Sequence, residues 1–95
     1  MPTLRWSSRA RRELNAALAR LAEDDVERAA AMYARIDQVT AHLRRHPAMG
    51  RPGRIPGTRE LVISRTPYIA IYVVESGVVR IVALHHAAQE WPTEL

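Results

Sequence analysis

Two β-rich segments separated by only three residues constrain the fold of this chain most strongly. Tyr68–Val74 is apolar on both faces, as a central strand must be. Glu75-Ser76-Gly77 has the composition of a tight turn, and Val78–Leu84 is again rich in β-branched residues. Arg59–Ser64 alternates before Thr66-Pro67 breaks the run. We therefore expect three strands in an antiparallel meander, which the upstream residues must cover.

The upstream residues predict one short strand and a helix. Thr3–Ser7 alternates between apolar and polar residues, and Ser7 or Ser8 is suited to cap a helix that runs to about Ala22. Its apolar residues recur at helical spacing and predict one buried stripe, formed by Leu14, Ala17, Leu18 and Leu21.

A second helix follows almost at once. Asp24 with Glu27 three residues later resembles a capping box, and the helix is expected to end near Arg45, before Pro47. Its predicted inner side consists of Val26, Ala29, Ala30, Tyr33, Ile36, Asp37, Thr40 and Leu43. Two helices joined by two or three residues form an antiparallel hairpin.

The element order β-α-α-β-β-β predicts an α+β fold. We expect two layers, with the helical hairpin packed on one face of a mainly antiparallel sheet. The 95 residues are enough for a single domain, 1–95, with one modest core.

Composition excludes several classes of site. The chain has no cysteine, so it has neither a disulfide framework nor a thiolate metal site. No metal site and no cofactor are expected, since the adjacent His85 and His86 diverge on a strand without a third ligand. No run is long enough to span a membrane and no signal-peptide core is present, so a soluble, cytoplasmic protein is expected.

The basic residues are unusual in kind and in distribution. All 14 are arginine, which fits either codon bias or guanidinium groups that hold carboxylates or phosphates in bidentate pairs. Five of them fall in the sixteen residues from Arg44 to Arg59, which contain no acid. Arg9, Arg11 and Arg12 start the first helix, where the helix dipole favours acidic groups. Both arrangements predict an acidic or anionic partner.

The chain resembles the RelE/ParE superfamily of toxins from type II toxin–antitoxin systems. The resemblance rests on the element order, on Gly50-Arg51-Pro52-Gly53-Arg54, on Gly57-Thr58-Arg59-Glu60-Leu61, and on the Leu84-His85 strand end followed by Trp91-Pro92. It spans essentially the whole chain. It implies a toxin that a cognate antitoxin neutralises.

The superfamily contains two activities that need different chemistry. RelE-like members cut messenger RNA on the ribosome, whereas ParE-like members inhibit DNA gyrase. Nucleases of the family carry an arginine in a run resembling Tyr-Arg-Leu-x-Tyr, but here Ile69 occupies that slot in Tyr68-Ile69-Ala70-Ile71-Tyr72. An isoleucine cannot stabilise the charge that develops on a phosphate. The resemblance therefore favours the ParE-like side and a protein without catalytic activity.

Four residues are the catalytic candidates if the chain is instead a ribosome-dependent endoribonuclease: Arg59, Arg80, His85 and His86. Regular alternation would place Arg80 and His85 on opposite faces of the last strand and His86 on the side of Arg80, unless the strand bulges. The alternative for His85 is a structural histidine at a strand end, and for Arg59 a pair with Glu60 or an interior carbonyl. Trp91 is either a plug over the core or a partner contact.

The resemblance also implies the partners. An acidic antitoxin segment that folds on binding would form a hetero-oligomer with the toxin, with a helix beside the helical hairpin and an added strand at a sheet edge. The arginines expected to contact it are Arg9, Arg11, Arg12, Arg51, Arg54 and Arg59. The target is gyrase or, alternatively, the ribosome and its messenger RNA. A third hypothesis is a nucleic-acid-binding module that uses the loop from Arg44 to Arg59.

Overall fold

The predicted meander is the centre of a five-stranded sheet in the computed structural model, which describes residues 2–95. The strands are β1 (Thr3–Trp6), β2 (Arg51–Pro52), β3 (Arg59–Val62), β4 (Tyr68–Glu75) and β5 (Val78–His86), and the helices are α1 (Ser8–Asp24) and α2 (Val26–Ala41), the second followed by a 3₁₀ turn (His42–Arg44). The strand order is β1-β5-β4-β3-β2. β1 is parallel to β5, and the other pairs are antiparallel.

This architecture confirms the α+β prediction of two helices on a mixed, mainly antiparallel sheet. The two-residue β2 lies in a segment that was expected to be loop. The turn between β4 and β5 has two residues, Ser76 and Gly77, both with positive φ (47° and 76°). That conformation matches the twist of a hairpin, and glycine adopts it without strain.

The caps of the two helices explain where each begins. The Ser7 hydroxyl accepts the Ala10 N–H at 3.0 Å and donates to the Val82 carbonyl at 3.2 Å, which joins the start of α1 to β5. The expected Asp24–Glu27 capping box is wrong by one residue. α1 continues through Asp24, and the extended Asp25 accepts the Arg28 N–H at 3.0 Å instead.

Both helices cover the same face of the sheet and form the main core with it. The buried side chains of this core include Leu14 and Ala17 of α1, Ile36 of α2, Leu43 of the 3₁₀ turn, and Leu61, Ala70, Tyr72, Ile81 and Leu84 of the sheet. The predicted inner side of α2 is too wide. Val26 is 70% exposed and Tyr33 49% exposed, because only a narrow stripe of this helix faces the sheet.

An irregularity in β5 changes which side chains share a face. Ile71 pairs with Ala83, but the next residue, Tyr72, pairs with Ile81, so Val82 is an extra residue in the ladder. Regular alternation is interrupted there. Arg80 and His85 therefore lie on the same face, opposite the helices, and His86 lies on the helical face, which corrects the assignment from alternation alone.

Neither helix among residues 2–95 is long and apolar enough to cross a lipid bilayer.

Candidate functional site: a closed sheet face and a groove beside the helices

The face of the sheet opposite the helices, which we call the helix-free face, carries a buried carboxylate. Glu60 of β3 is only 2% exposed. Its carboxylate accepts the Arg51 Nε–H at 3.0 Å and the Arg54 backbone N–H at 2.8 Å, and the Arg51 guanidinium lies 2.9 Å away in an ion pair. The Arg54 guanidinium is 3.4 Å from the same carboxylate. Glu60 thereby fixes β2, which contains Arg51, and the loop after it, which contains Arg54.

The protonation of Glu60 follows from these contacts. Burial by itself raises the pKa of a carboxyl group, because it removes the charged form from water. Here the Arg54 N–H, the Arg51 hydrogen bond and the two positive charges outweigh burial and hold the pKa of Glu60 below its ordinary value. The group is therefore an anion bound by two arginines, and the remaining surface of these arginines faces solvent.

The C-terminal tail closes the helix-free face next to this carboxylate. The Arg54 guanidinium carbon lies 3.6 Å from the centroid of the Trp91 ring, and Trp91 packs edge-on against His85 with ring centroids 4.5 Å apart. His85 is 7% exposed, and its Nε2–H donates to the Gln89 carbonyl at 3.1 Å. This arrangement matches the structural alternatives: a satisfied histidine at the strand end and a tryptophan plug.

Ile69, which stands where nucleases of the family carry an arginine, lies on this helix-free face. Ile69 pairs directly with His85, so both side chains are on the helix-free face, and both are buried. Cleavage of RNA at this position would need a cation and an accessible general acid or base. The side chains present there are an isoleucine and a histidine that is already bonded to the backbone of the tail.

The four catalytic candidates do not converge. Arg59 pairs with Tyr72 on the helical face and donates to the Gly50 carbonyl at 2.7 Å, so it bonds to an interior carbonyl. Arg80 is exposed on the helix-free face. His86 lies on the helical face, where its ring packs edge-on against Tyr68 at 5.2 Å between centroids. The set is divided between the two faces of the sheet.

A buried tyrosine fixes the loop before β2. The Tyr72 hydroxyl accepts the Gly50 N–H at 2.8 Å and donates to the Pro47 carbonyl at 2.7 Å. A Cβ at position 50 would lie 2.7 Å from the Tyr72 ring, so only glycine fits there. Burial raises the pKa of Tyr72 above its ordinary value, although the Gly50 N–H and the Arg59 charge partly oppose the shift. The Gly-Arg-Pro motif thus begins at a close contact, which the sequence alone does not reveal.

An open groove on the helical side has an apolar lining and charged borders. It lies between the C-terminal half of α1, the N-terminal half of α2 and the turn before β4, and has a volume of about 590 Å³. Its apolar lining includes Ala17, Leu21, Met32, Pro67 and Tyr68. Leu21, Met32 and Pro67 also line an adjoining cavity. Charged residues of both signs border the two cavities: the arginines Arg20, Arg28, Arg35 and Arg65, and the acids Glu23 and Asp24.

The structure divides the arginines expected to contact an antitoxin. Arg9 lies 3.5 Å from Glu13 in an ion pair, whereas Arg11 and Arg12 are exposed on α1. Arg51 and Arg54 bind Glu60 on the helix-free face, and Arg59 bonds to Gly50 on the other face. α1 follows β1 at one sheet edge, and β2 and β3 lie at the other, so the six do not form one surface. The arginines that border the groove were not singled out from the sequence, because they are spread over α1, α2 and the turn before β4.

Comparison with known proteins identifies the family. Residues 4–91 match the family described as "ParE toxin of type II toxin-antitoxin system, parDE". The chain belongs to the ParE toxin family. It is the toxin of a type II toxin–antitoxin system, as the resemblance implied.

Relatives of this toxin support the assignment in sequence and in structure. It is 45% identical over 92 residues to the Sinorhizobium fredii protein named "Putative toxin Y4kP", an alignment that covers 97% of this chain and 95% of the relative. The toxin superposes on a chain of the chromosomal ParDE system from P. aeruginosa with a TM-score of 0.84 and 25% identity, covering 90% and 96% of the two chains. It also matches a chain of the RelBE2 toxin–antitoxin complex from Mycobacterium tuberculosis, with a TM-score of 0.60, 25% identity and 93% coverage of each chain.

Proposed function

We propose that this toxin arrests growth by binding and inhibiting DNA gyrase in the cytoplasm, without an active site of its own. The observation that supports this choice over RNA cleavage is the closed helix-free face, where Ile69 and the bonded His85 lie beside Trp91. The catalytic candidates point to different faces of the sheet, so the toxin lacks an assembled set of acid, base and cation. Inhibition by binding requires no such set.

We also propose that a cognate antitoxin neutralises the toxin by laying an amphipathic helix in the groove beside α1 and α2. The apolar floor around Leu21 and Met32 suits the apolar side of such a helix. The four bordering arginines outnumber the two acids at the border, Glu23 and Asp24, and suit acidic residues on the flanks of the helix. Such a segment loses conformational entropy when it folds on binding, and the contacts in the groove would offset that loss. The product is a hetero-oligomer of toxin and antitoxin.

The exposed Arg12 lies on α1 before the groove. Arg12 and Arg20 are eight residues apart on α1, which corresponds to about 12 Å along the helix axis. An antitoxin helix in the groove that continues as an extended segment would therefore reach Arg12 within a few residues. Arg11 instead borders a small cavity with Tyr33, on the side of α1 opposite Arg20. Arg51, Arg54 and Arg59 each bind internally through part of their guanidinium group, and we expect them to add mainly long-range attraction.

A supercoiling assay tests both proposals in one design. Gyrase is expected to lose supercoiling activity on relaxed plasmid in the presence of excess toxin, and antitoxin is expected to restore it. Met32→Glu places a carboxylate on the apolar floor of the groove, so antitoxin should bind this variant at least about thirtyfold more weakly and fail to restore activity at equimolar ratio.

Met49→Glu is the matched control, since it makes the same change at an exposed methionine away from the groove. Its inhibition of gyrase should respond to antitoxin as the unmodified toxin does. Unimpaired supercoiling in the presence of excess folded toxin would reject gyrase as the target. If antitoxin relieves the gyrase inhibition by folded Met32→Glu toxin as it does for the unmodified toxin, the groove is not the antitoxin site. That result would not affect the choice of target.

A further inference from the structure

Two neighbouring polar groups that line the groove have no partner within the toxin. Tyr68 and His86 pair across β4 and β5, and their rings pack edge-on. Tyr68 is only 8% exposed, yet among residues 2–95 its hydroxyl takes part in no hydrogen bond, and neither does Nε2 of the half-buried His86. In the same range, Trp91 Nε1 is the one buried side-chain nitrogen or oxygen without a partner. The Tyr68 hydroxyl and His86 Nε2 therefore reach solvent.

The other ring nitrogen of His86 determines where its proton lies. Nδ1 accepts the Ala88 N–H at 3.0 Å, so Nδ1 carries no proton, and the proton of the neutral imidazole is on Nε2. His86 thus presents an N–H donor and keeps no free basic nitrogen, which agrees with a role in binding. The Tyr68 hydroxyl beside it can also donate.

The space in front of these two groups is shared by two cavities. The groove and a smaller cavity of about 190 Å³ are both lined by Tyr68 and His86, together with Arg20 of α1 and Gln89 of the tail. We call these four residues the donor cluster. Arg20 is exposed and, in the described part of the chain, forms no ion pair. Gln89 accepts the His86 backbone N–H through Oε1 at 3.1 Å, so its amide N–H groups face outward from that bond.

The acids near the donor cluster do not neutralise it. Glu13 lines only the smaller cavity, and its carboxylate accepts the Leu84 N–H at 3.0 Å. Glu23 and Asp24 line only the larger cavity, and within residues 2–95 neither forms an ion pair with Arg20. The wall that the two cavities share thus presents donors without a carboxylate of its own. It fits a group that accepts hydrogen bonds and carries negative charge.

We propose that the donor cluster binds the carboxylate of one acidic residue in the antitoxin segment that occupies the groove. This inference rests on the proposed antitoxin site and names the group that is recognised there. The two oxygens of a carboxylate only accept, so they can bond to Tyr68 and His86 while Arg20 supplies positive charge. A carbonyl inside an antitoxin helix is already bonded within that helix, so it fits the cluster less well. The apolar floor beside the cluster favours a protein segment over a charged nucleic-acid backbone.

Isothermal titration calorimetry of the toxin with its antitoxin tests the proposal. Tyr68→Phe removes a hydroxyl that has no internal partner, so the stability of the toxin should not change. The Kd for antitoxin should rise about tenfold to hundredfold, as expected when a hydrogen bond to a charged group is lost. Tyr33→Phe is the matched control, because Tyr33 is exposed on α2 and lines neither cavity. Its Kd should change by less than about twofold.

Two substitutions of His86 separate the roles of its nitrogens. His86→Asn retains an oxygen near the position of Nδ1, which can accept the Ala88 N–H, but it has no group in the place of Nε2. Its Kd should rise about tenfold or more. His86→Gln can place an amide N–H near the position of Nε2, and it should bind antitoxin more tightly than His86→Asn.

Alanine substitution of each acidic residue of the antitoxin, one at a time, identifies the carboxylate. Loss of the recognised residue should weaken binding to the unmodified toxin. The same antitoxin variant should lose much less affinity for Tyr68→Phe toxin, because the two changes remove one shared contact.

Two results would overturn the inference. Unchanged antitoxin binding by Tyr68→Phe and His86→Asn toxins, both folded by circular dichroism, would show that the cluster is not a contact. Weaker binding without coupling to any acidic residue of the antitoxin would show that the recognised group is not a carboxylate.

The Met32→Glu variant distinguishes failure of this inference from failure of the antitoxin site itself. If Met32→Glu loses antitoxin binding while Tyr68→Phe and His86→Asn keep it, the groove remains the antitoxin site and the donor cluster has no part in recognition. If all three variants keep it, the groove proposal fails as well.

Discussion

Replacing Tyr72 by phenylalanine is expected to lower the free energy of unfolding by about 2–4 kcal/mol. The side chain has 0% exposure, and its hydroxyl is the partner of both the Gly50 N–H and the Pro47 carbonyl. Phenylalanine keeps the ring but leaves these two backbone groups without a partner, at about 1–3 kcal/mol for each buried group. Chemical denaturation followed by circular dichroism measures the change.

Tyr33→Phe is the control for this substitution. It removes the same hydroxyl from a side chain that is 49% exposed on α2, and a change below about 0.5 kcal/mol is expected. If the two variants have equal stability, the Tyr72 hydroxyl does not hold the loop before β2.

Glu60→Gln is expected to lower the free energy of unfolding by about 2–3 kcal/mol near neutral pH. The glutamine keeps the size of the side chain but removes the negative charge. In the wild type the Arg54 N–H and the Arg51 guanidinium both donate to the carboxylate, and in the variant an amide N–H group would face one of these donors. We place the loss below that of a fully buried ion pair because both arginine side chains are about half exposed. Glu75→Gln, an exposed change at the hairpin end, should have almost no effect.

The contribution of Glu60 should also depend on pH. Since its contacts hold the pKa of Glu60 below the ordinary value, about 4.3, the folded state favours the anion. This stabilisation is fully present above that value and is lost as pH falls through the folded pKa. The difference in stability between wild type and Glu60→Gln should therefore shrink below about pH 4. A difference that stays constant down to pH 2 would show that the charge is not what the arginines recognise.

The sequence was sufficient for the elements that have a strong local signal. The spacing of Leu14, Ala17 and their neighbours predicted α1, and the three residues between two β-rich runs predicted the β4–β5 hairpin. Both signals come from residues close in the chain. The parallel pairing of β1 with β5 joins residues about 75 positions apart, and local periodicity carries no information about it.

The arrangement of the site was less predictable because it depends on a single extra residue. Regular alternation along β5 would separate Arg80 from His85, and Val82 reverses this. A run of Val-Val-Arg-Ile-Val-Ala-Leu gives no sign of where such a residue lies, since β-branched residues suit either face.

The role of the basic loop was recognised only in part. The acid-free run from Arg44 to Arg59 suggested an external anion, whereas Arg51 and Arg54 bind Glu60, the first residue after the run. A carboxylate directly following a cluster of arginines in a Gly/Pro-rich loop is a signal that could have indicated an internal partner. The expectation of an external partner then rests on Arg44 and Arg45, which keep no internal contact in the part of the chain that the structure describes.

Primer extension on programmed ribosomes tests most directly whether the toxin acts by binding rather than by cutting RNA. At a concentration that inhibits gyrase, purified toxin is expected to leave messenger RNA in the ribosomal A site intact, because the catalytic candidates do not meet on one face. Cleavage by the wild-type toxin that disappears in a folded Arg80→Ala variant would contradict this account. It would show that the exposed arginine on the helix-free face takes part in chemistry.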